Sequence, residues 1–330
     1  MNIKEKYSHI RGFNYQPSYG STSMENWLNF NPAVFELELR RGIQHFPKMN
    51  SVRLWLSWDA YLRNSHKFKH DFETSLKICH QLGLSVIPTL FNRWHDTTLD
   101  CGGIYIDHFM SGWSWVTREE WLDGKGLFTA YLADIVGEHA NDDRILIWDI
   151  CNEPFAYLLP VAEMKHIEEA EYAWLEKMYR NCKELGAQAP LGISIHPGHK
   201  REGIQRIEPI SDVLLIHPYF MFGIENKAEQ HKFELLLDDY VEFSKLSNKA
   251  LLVTETCWGS LDDTWRAENI SYTLQELKKR DIGWLVHLLH HSLVADAHRP
   301  EFGPVGHPGN LAFIEADGSL RKGHEIFNDF

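Results

Sequence analysis

Residues 51–91 read SVRLWLSWDAYLRNSHKFKHDFETSLKICHQLGLSVIPTLF, and this stretch decides the fold class. An apolar run over residues 51–56 predicts a strand, a helical pattern follows over residues 69–82, and a second strand is predicted over residues 84–91. Gly83 stands where a glycine commonly ends a helix. A strand, a helix and another strand in this order form the unit from which parallel sheets are built.

The same alternation continues along the whole chain. Further strands are predicted over residues 9–15, 145–151, 191–195, 213–216, 250–254 and 284–289, and further helices over residues 32–46, 118–139, 164–185, 228–246, 265–280 and 320–330. Eight strands is the number in a closed (β/α)8 barrel, and the chain lacks the glycine-rich phosphate turn of a doubly wound sheet. Pro88 normally weakens a strand because it donates no N–H, so the second half of the third strand is less well defined. We predict an α/β protein with a single (β/α)8 TIM-barrel domain over residues 1–330 and elongated loops after its strands.

Length and charge exclude several classes of protein. The chain has 330 residues, which is too long for a small disulfide-stapled domain and long enough to bury a large core. By length alone two domains would be expected, but (β/α)8 barrels of this size form one. Lys plus Arg number 33 against 46 for Asp plus Glu, which gives a net charge of −13. Such an acidic chain predicts no nucleic acid and no anionic membrane as partner.

The cysteines and the first residues bear on the compartment. The five cysteines are scattered and form no C-x-x-C pair, so the sequence predicts neither a disulfide framework nor a zinc site. The start of the chain is polar, without the apolar stretch of a signal peptide, and no run approaches the roughly 18 apolar residues of a membrane span. We expect a cytoplasmic protein, although a secreted one whose leader had been removed would read the same.

Polar side chains cluster where the predicted strands end, which is the catalytic face of a (β/α)8 barrel. Glu153 follows the fourth strand and Glu255 follows the seventh. An ionised glutamate at the end of a buried strand is costly unless it is paired, so each is either half of a structural ion pair or a working group. Two of them, with Arg, Asn, His and Tyr at neighbouring strand ends, favour catalysis. Asp149 lies two pleats deeper in its strand and is interpreted as a buried structural carboxyl.

Glycoside hydrolysis is the chemistry that needs two such carboxylates. One must be protonated to give a proton to the leaving oxygen, and the other must be ionised to attack the anomeric carbon. Their surroundings must therefore drive the two pKa values apart. In a retaining enzyme the two carboxyl groups lie about 5–5.5 Å apart.

The strand ends resemble those of the clan A TIM-barrel glycoside hydrolases, which include the family-5 cellulases and mannanases. Residues 148–154 read WDICNEP, and the family often ends its fourth strand in Asn-Glu-Pro. The resemblance implies that Glu153 is the acid/base and that Asn152 binds the 2-hydroxyl of the substrate. Glu255, at the end of Val253-Thr254-Glu255, matches the place of the family's nucleophile.

Three further positions carry the same resemblance. Arg53 matches the arginine of strand two that holds the nucleophile ionised, and His217 and Tyr219 match a His-x-Tyr at the end of strand six whose tyrosine binds the nucleophile. The whole set implies a retaining β-glycoside hydrolase that acts on a β-linked oligo- or polysaccharide and needs no cofactor.

The sequence departs from the family at the end of strand eight. A tryptophan usually stands there, whereas this chain reads LLHH over residues 288–291, and we expect His290 to line the pocket in its place. Three other tryptophans lie within three residues of a polar strand end and are candidates for flat platforms under sugar rings: Trp58, Trp94 and Trp258.

Two other functions fit parts of the sequence. A barrel of this kind could bind carbohydrate without cleaving it, although the presence of both glutamates favours an enzyme. The many histidines near the C-terminal end could serve a metal-dependent amidohydrolase barrel. That class expects His-x-His at the end of strand one, where this chain reads FNYQ over residues 13–16, so no metal ligand is predicted.

Overall fold

The computed structural model describes residues 6–93, 126–155 and 161–330, and its centre is a closed barrel of eight parallel strands in chain order. The strands are β1 Arg11–Asn14, β2 Ser51–Trp55, β3 Ser85–Asn92, β4 Trp148–Asn152, β5 Leu191–Ile195, β6 Val213–Ile216, β7 Leu251–Val253 and β8 Gly283–Val286. β1 pairs with β2 on one side and with β8 on the other, which closes the barrel. The predicted (β/α)8 TIM barrel is confirmed.

Helices surround the barrel. They are α1 Ser23–Leu28, α2 Pro32–His45, α3 Trp58–Arg63, α4 Ser65–Gln81, α5 Leu127–Leu132, α6 Val161–Glu184, α7 Lys200–Ile207, α8 Lys227–Ser247 and α9 Asp263–Lys279. The chain continues from α5 into a π-helical turn over Ala133–Gly137. In the described part of the chain, no helix is both long and apolar enough to cross a membrane.

Local chemistry explains where the long helices begin and end. Asn31 precedes α2 and its side chain accepts hydrogen bonds from the N–H groups of Ala33 and Val34, while Pro32 fills the first helical position. After α4, Gly83 has the left-handed φ of 74° that glycine adopts without steric cost. Both helix boundaries follow from signals that the sequence carries.

Some sequence predictions of secondary structure were wrong. The predicted helix over residues 320–330 is a 3-10 helix over His324–Asp329. The first part of the predicted helix 118–139 lies outside the described residues, and the remainder is α5 with its π-helical turn. The short helices α1, α3 and α7 were not predicted, because six to eight residues are too few to show helical periodicity.

Pro88 lies inside β3, opposite an irregular stretch of the chain that leads into β4. An isolated bridge joins Val86 to Ile145, and the ladder resumes where Thr89 pairs with Asp149. Three steps along β3 therefore face four steps along the neighbouring chain. The missing N–H of Pro88 falls in this irregular stretch, where no regular ladder bond has to be made.

Alternation along the strands gives the barrel an apolar floor and a polar layer above it. The floor contains Ile87, Ile147, Leu252 and Leu285, all fully buried. Two residues further along the same strands, the interior face carries polar side chains, among them Thr89, Asp149 and Thr254. This polar layer supports the site at the carboxyl-terminal ends of the strands.

Candidate active site

Arg53 is the hub of the polar layer. Its side chain is completely buried on β2, and its guanidinium donates to both carboxylates nearest to it. Nη1 lies 2.5 Å from Glu255 Oε1, and Nη2 lies 2.7 Å from Asp149 Oδ2. Further bonds from Arg53 reach Asn14 Oδ1 at 2.9 Å, Asn152 Oδ1 at 2.6 Å and Ser194 Oγ at 3.1 Å. One cation thus joins side chains from several strands beneath the site.

Asp149 is fully enclosed by its partners. Besides Arg53 it accepts hydrogen bonds from the hydroxyls of Ser194, at 2.9 Å, and Thr89, at 3.1 Å. It has no exposed surface, so no substrate reaches it. The structure agrees with the interpretation of Asp149 as a structural carboxyl.

Glu255 follows β7 and is held in its ionised form. Arg53 donates to one of its oxygens, and the Tyr219 hydroxyl donates to the other at 2.9 Å. Burial alone would raise the pKa of Glu255, but the charges of His217, His287 and Arg53 outweigh it and lower the pKa to about 2. Arg53 is the one of these three that stays charged at neutral pH, because burial lowers the pKa of both histidines.

Glu153 sits in the turn directly after β4 and has the opposite electrostatics. Burial and then the negative charge of Glu255 raise its pKa well above the usual value for a glutamate. Burial lowers the pKa of its neighbour His217 to about 3, so that imidazole is neutral. His217 Nδ1 lies 2.6 Å from Glu153 Oε1, and His217 Nε2 lies 3.0 Å from Thr254 Oγ1. These contacts fit a protonated Glu153 that donates to Nδ1 of a histidine whose own proton is on Nε2.

The two glutamates face each other across a short gap. A carboxylate oxygen of Glu153 and one of Glu255 lie within 4.8 Å of each other, and both side chains are almost fully buried. A protonated carboxyl and an ionised carboxylate therefore stand side by side at the carboxyl ends of β4 and β7. Such a pair can protonate one atom of a substrate bond while it supplies a nucleophile to the other atom.

Asn152 is oriented from two sides. Its Oδ1 accepts from Arg53, and its Nδ2 donates to Asn92 Oδ1 at 3.0 Å. Asn92 is the last residue of β3 and pairs with Asn152 in the sheet. The amide group is thus fixed next to Glu153.

The aromatic candidates have different surroundings. The half-buried ring of Trp258 lies edge-on to Tyr219, with centroids 5.4 Å apart, and so stands beside the partner of Glu255. Trp58 is the first residue of α3 and packs on Phe128 with ring centroids 4.6 Å apart, a contact that belongs to the helix layer. Trp94 lies outside the described residues.

The side chain of His290 is buried, and both of its ring nitrogens lie close to protein atoms. Nε2 lies 3.1 Å from Arg41 Nη1 and Nδ1 lies 3.0 Å from the His291 carbonyl. β8 ends at Val286, three residues earlier than predicted, so His287 takes the strand-end position. Its ring lies edge-on to Trp55, with centroids 5.4 Å apart.

The sequence placed His287 inside the predicted eighth strand rather than at its end, and Trp55 was not among the predicted site residues. An apolar run such as WLVHLL over residues 284–289 does not show where the strand ends, since the same residue types continue past that point. Side chains alternate between the two faces of a strand, which indicates which of them point into the barrel. A strand end that is wrong by three residues, an odd number, assigns the last side chain to the opposite face.

By ligand type alone, Glu153, His217 and Glu255 could hold a metal ion, since their ligand atoms lie within 4.8 Å of one another. Arg53 already donates to Glu255 at 2.5 Å, so a divalent cation there would stand next to a guanidinium. At the end of β1, Asn14 is taken up by Arg53 and by the Thr254 carbonyl. This donor set fits proton transfer better than metal binding.

No protein-family model and no curated protein sequence matches the chain. Solved structures do. GH5_18 from Streptomyces cattleya, in complex with GlcNAc, is 14% identical with a TM-score of 0.68, and the match covers 96% of this chain and 78% of that one. A variant of that protein in complex with Manβ1-4GlcNAc gives 13% identity, a TM-score of 0.73, and coverage of 97% and 79%. The exo-β-1,4-mannosidase Op5Man5 from Opitutaceae bacterium strain TAV5 is 19% identical with a TM-score of 0.71, and the match covers 96% of this chain and 58% of that one.

The chain has the fold of these glycoside hydrolases. The resemblance to clan A barrels that the sequence predicted is confirmed at the level of the fold.

Proposed function

We propose that the protein is a retaining β-glycoside hydrolase, with Glu153 as acid/base and Glu255 as nucleophile. The observation that carries this proposal is the pair of buried glutamates, within 4.8 Å of each other, whose neighbours drive their pKa values in opposite directions. Their separation supports the retaining mechanism, in which the carboxyl groups lie about 5–5.5 Å apart, over the inverting one, which needs roughly 6.5–9.5 Å.

In the first step, Glu255 attacks the anomeric carbon while Glu153 gives its proton to the glycosidic oxygen. The bond from the sugar to the leaving group breaks, and an ester forms between the sugar and Glu255. Arg53 and Tyr219 hold the nucleophile ionised and fix the direction of its free electron pair. Asn152 binds a hydroxyl of the same sugar.

In the second step, Glu153 removes a proton from water, which attacks the anomeric carbon and releases Glu255. The change of role follows from charge. The negative charge of Glu255 helps to hold the pKa of Glu153 up, and esterification removes that charge. Glu153 therefore becomes a better base when a base is needed.

The same site and the solved structures support a proposal for the substrate class. The acidic chain with Trp258 beside the nucleophile's partner suits a neutral sugar. Two of the similar structures are a complex with Manβ1-4GlcNAc and an exo-β-1,4-mannosidase, so we propose β-mannosides as the first substrates to test.

The test is a turnover screen of aryl β-glycosides and β-linked disaccharides with the wild type and Glu255→Gln. We expect the variant to lose at least about 10³-fold in kcat/KM with an unchanged circular dichroism spectrum, because the amide is no nucleophile. Glu325→Gln, at an exposed position near the C-terminal end, is the matched control and should behave as wild type. Sugar binding without turnover in the wild type would instead establish a carbohydrate-binding barrel.

A further inference from the structure

Another buried glutamate, Glu171, stands behind the acid/base and takes no part in the mechanism above. It lies on α6 with no exposed surface. Its Oε1 accepts from Arg93 Nε at 2.8 Å, and its Oε2 accepts from the backbone N–H of Phe155 at 3.1 Å. Because its two oxygens bind different partners, this buried carboxylate joins α6 to the turn that carries Glu153.

The turn after β4 has a strained backbone that its hydrogen bonds must hold in place. Glu153 and Phe155 have φ values of 46° and 63°, in the left-handed region that is strained for residues other than glycine. Pro154 lies between them and has no N–H to donate. The bond from Phe155 to Glu171 is therefore the first backbone donor bond available after Glu153 itself, whose N–H goes to the Ser194 carbonyl.

The other oxygen of Glu171 acts on the opposite side of Glu153. The guanidinium of Arg93 binds that oxygen, and the backbone N–H of Arg93 donates to the carbonyl of Asn152 at 3.1 Å. Asn152 precedes Glu153 and Phe155 follows it by two residues. One carboxylate on α6 is thus connected to the chain on both sides of the acid/base.

We propose that Glu171 is a positioning residue that aims the Glu153 carboxyl at the glycosidic oxygen. The inference rests on the proposed function and assigns to Glu171 no contact with the substrate. If the turn relaxes, Glu153 moves away from the leaving oxygen, while Glu255 keeps its place because Arg53 and Tyr219 hold it from other strands. The rate must then be lost through poorer proton donation, while the nucleophilic attack by Glu255 is unaffected.

Glu171→Gln tests this through the leaving group. Glutamine keeps the shape but offers one acceptor oxygen and one NH2 group, so either Arg93 or Phe155 faces a donor. A 2,4-dinitrophenyl group leaves without protonation, whereas the sugar leaving group of a disaccharide needs it. We expect kcat/KM to fall at least about tenfold for Manβ1-4GlcNAc and less than about twofold for the 2,4-dinitrophenyl β-mannoside, with the corresponding β-glucosides as a second pair. The ratio kcat/KM reports the first step alone, so the later role of Glu153 as base does not interfere.

The control and the second variant separate positioning from stability. Glu176 lies on the same helix in an exposed pair with Arg180, so Glu176→Gln should change kcat/KM for neither substrate. Arg93→Lys keeps the charge but loses the guanidinium fork, and should reproduce the leaving-group effect even if Glu171→Gln does not fold. Equal losses on both substrates, or no loss on either, would overturn the proposal. A wild type that hydrolyses no glycoside would refute the proposed function, and this inference with it.

Discussion

Two glutamates with the same side chain have opposite chemistry in this protein because of their neighbours. Glu255 receives hydrogen bonds from a buried cation and from a phenol, whereas Glu153 contacts a neutral imidazole and the charge of Glu255. At the scale of single residues, function therefore depends on which strand ends stand beside each carboxyl.

The pH profile of kcat/KM follows from these two environments. Activity needs Glu255 ionised and is lost as pH falls through its lowered pKa, about 2, and it needs Glu153 protonated and is lost as pH rises through its raised pKa. Tyr219→Phe removes one hydrogen bond to the Glu255 carboxylate, so we expect the acidic limb to move to higher pH while the alkaline limb moves less. Measuring kcat/KM against pH for both proteins checks this, and an unmoved acidic limb would contradict it.

At the scale of elements, the pairing of strands leaves no room for a side chain at some glycines. A Cβ on Gly283 in β8 would stand 1.9 Å from the carbonyl oxygen of Tyr7, which belongs to the backbone and cannot swing away. Gly283→Ala should therefore lower the free energy of unfolding by at least about 1–3 kcal/mol, measured by urea denaturation.

A second glycine provides the control for that prediction. In Gly137→Ala the added Cβ would meet nothing closer than Leu185 Cδ2 at 3.4 Å, an ordinary contact. We expect little change in stability there, and equal effects of the two substitutions would mean that the approach of β8 to the N-terminal segment is not tight.

The strands and most long helices could be predicted because their signals are local, such as the Asn31-Pro32 start of α2 and Gly83 after α4. Glu153 and Glu255 could be recognised because a charged group at a strand end is conspicuous against an apolar run. Arg53, inside β2, could be recognised because it matches the arginine of strand two in the clan A barrels. The end of β8 could not, since the apolar residue types continue past Val286 and do not show where the strand stops. Glu171 could not, since its partners come from the ends of two strands and only packing brings them to α6.

At the scale of the whole molecule, the catalytic charge network is also part of what holds the barrel together. Arg53 connects β2 with β1, β4, β5 and the segment after β7 through buried hydrogen bonds. Stability and activity are therefore coupled at this residue.

Replacing Arg53 by Met should lower the free energy of unfolding by about 3–5 kcal/mol at pH 7, because Asp149 and Glu255 lose the cation that compensates their burial. Unpaired buried carboxylates have raised pKa values, so they protonate as pH falls and the penalty shrinks. Urea denaturation of both proteins at pH 7 and pH 5 should show a smaller difference at pH 5. A difference that is equal or larger at pH 5 would show that charge pairing is not what the arginine contributes.

The central claim is that Glu153 and Glu255 act by double displacement, and the configuration of the first product tests it most directly. Proton NMR during hydrolysis of an aryl β-glycoside by the wild type should show the β-anomer of the free sugar first, with the α-anomer appearing later by mutarotation. An α-anomer formed first would mean a single displacement by water, and would contradict the assignment of Glu255 as nucleophile.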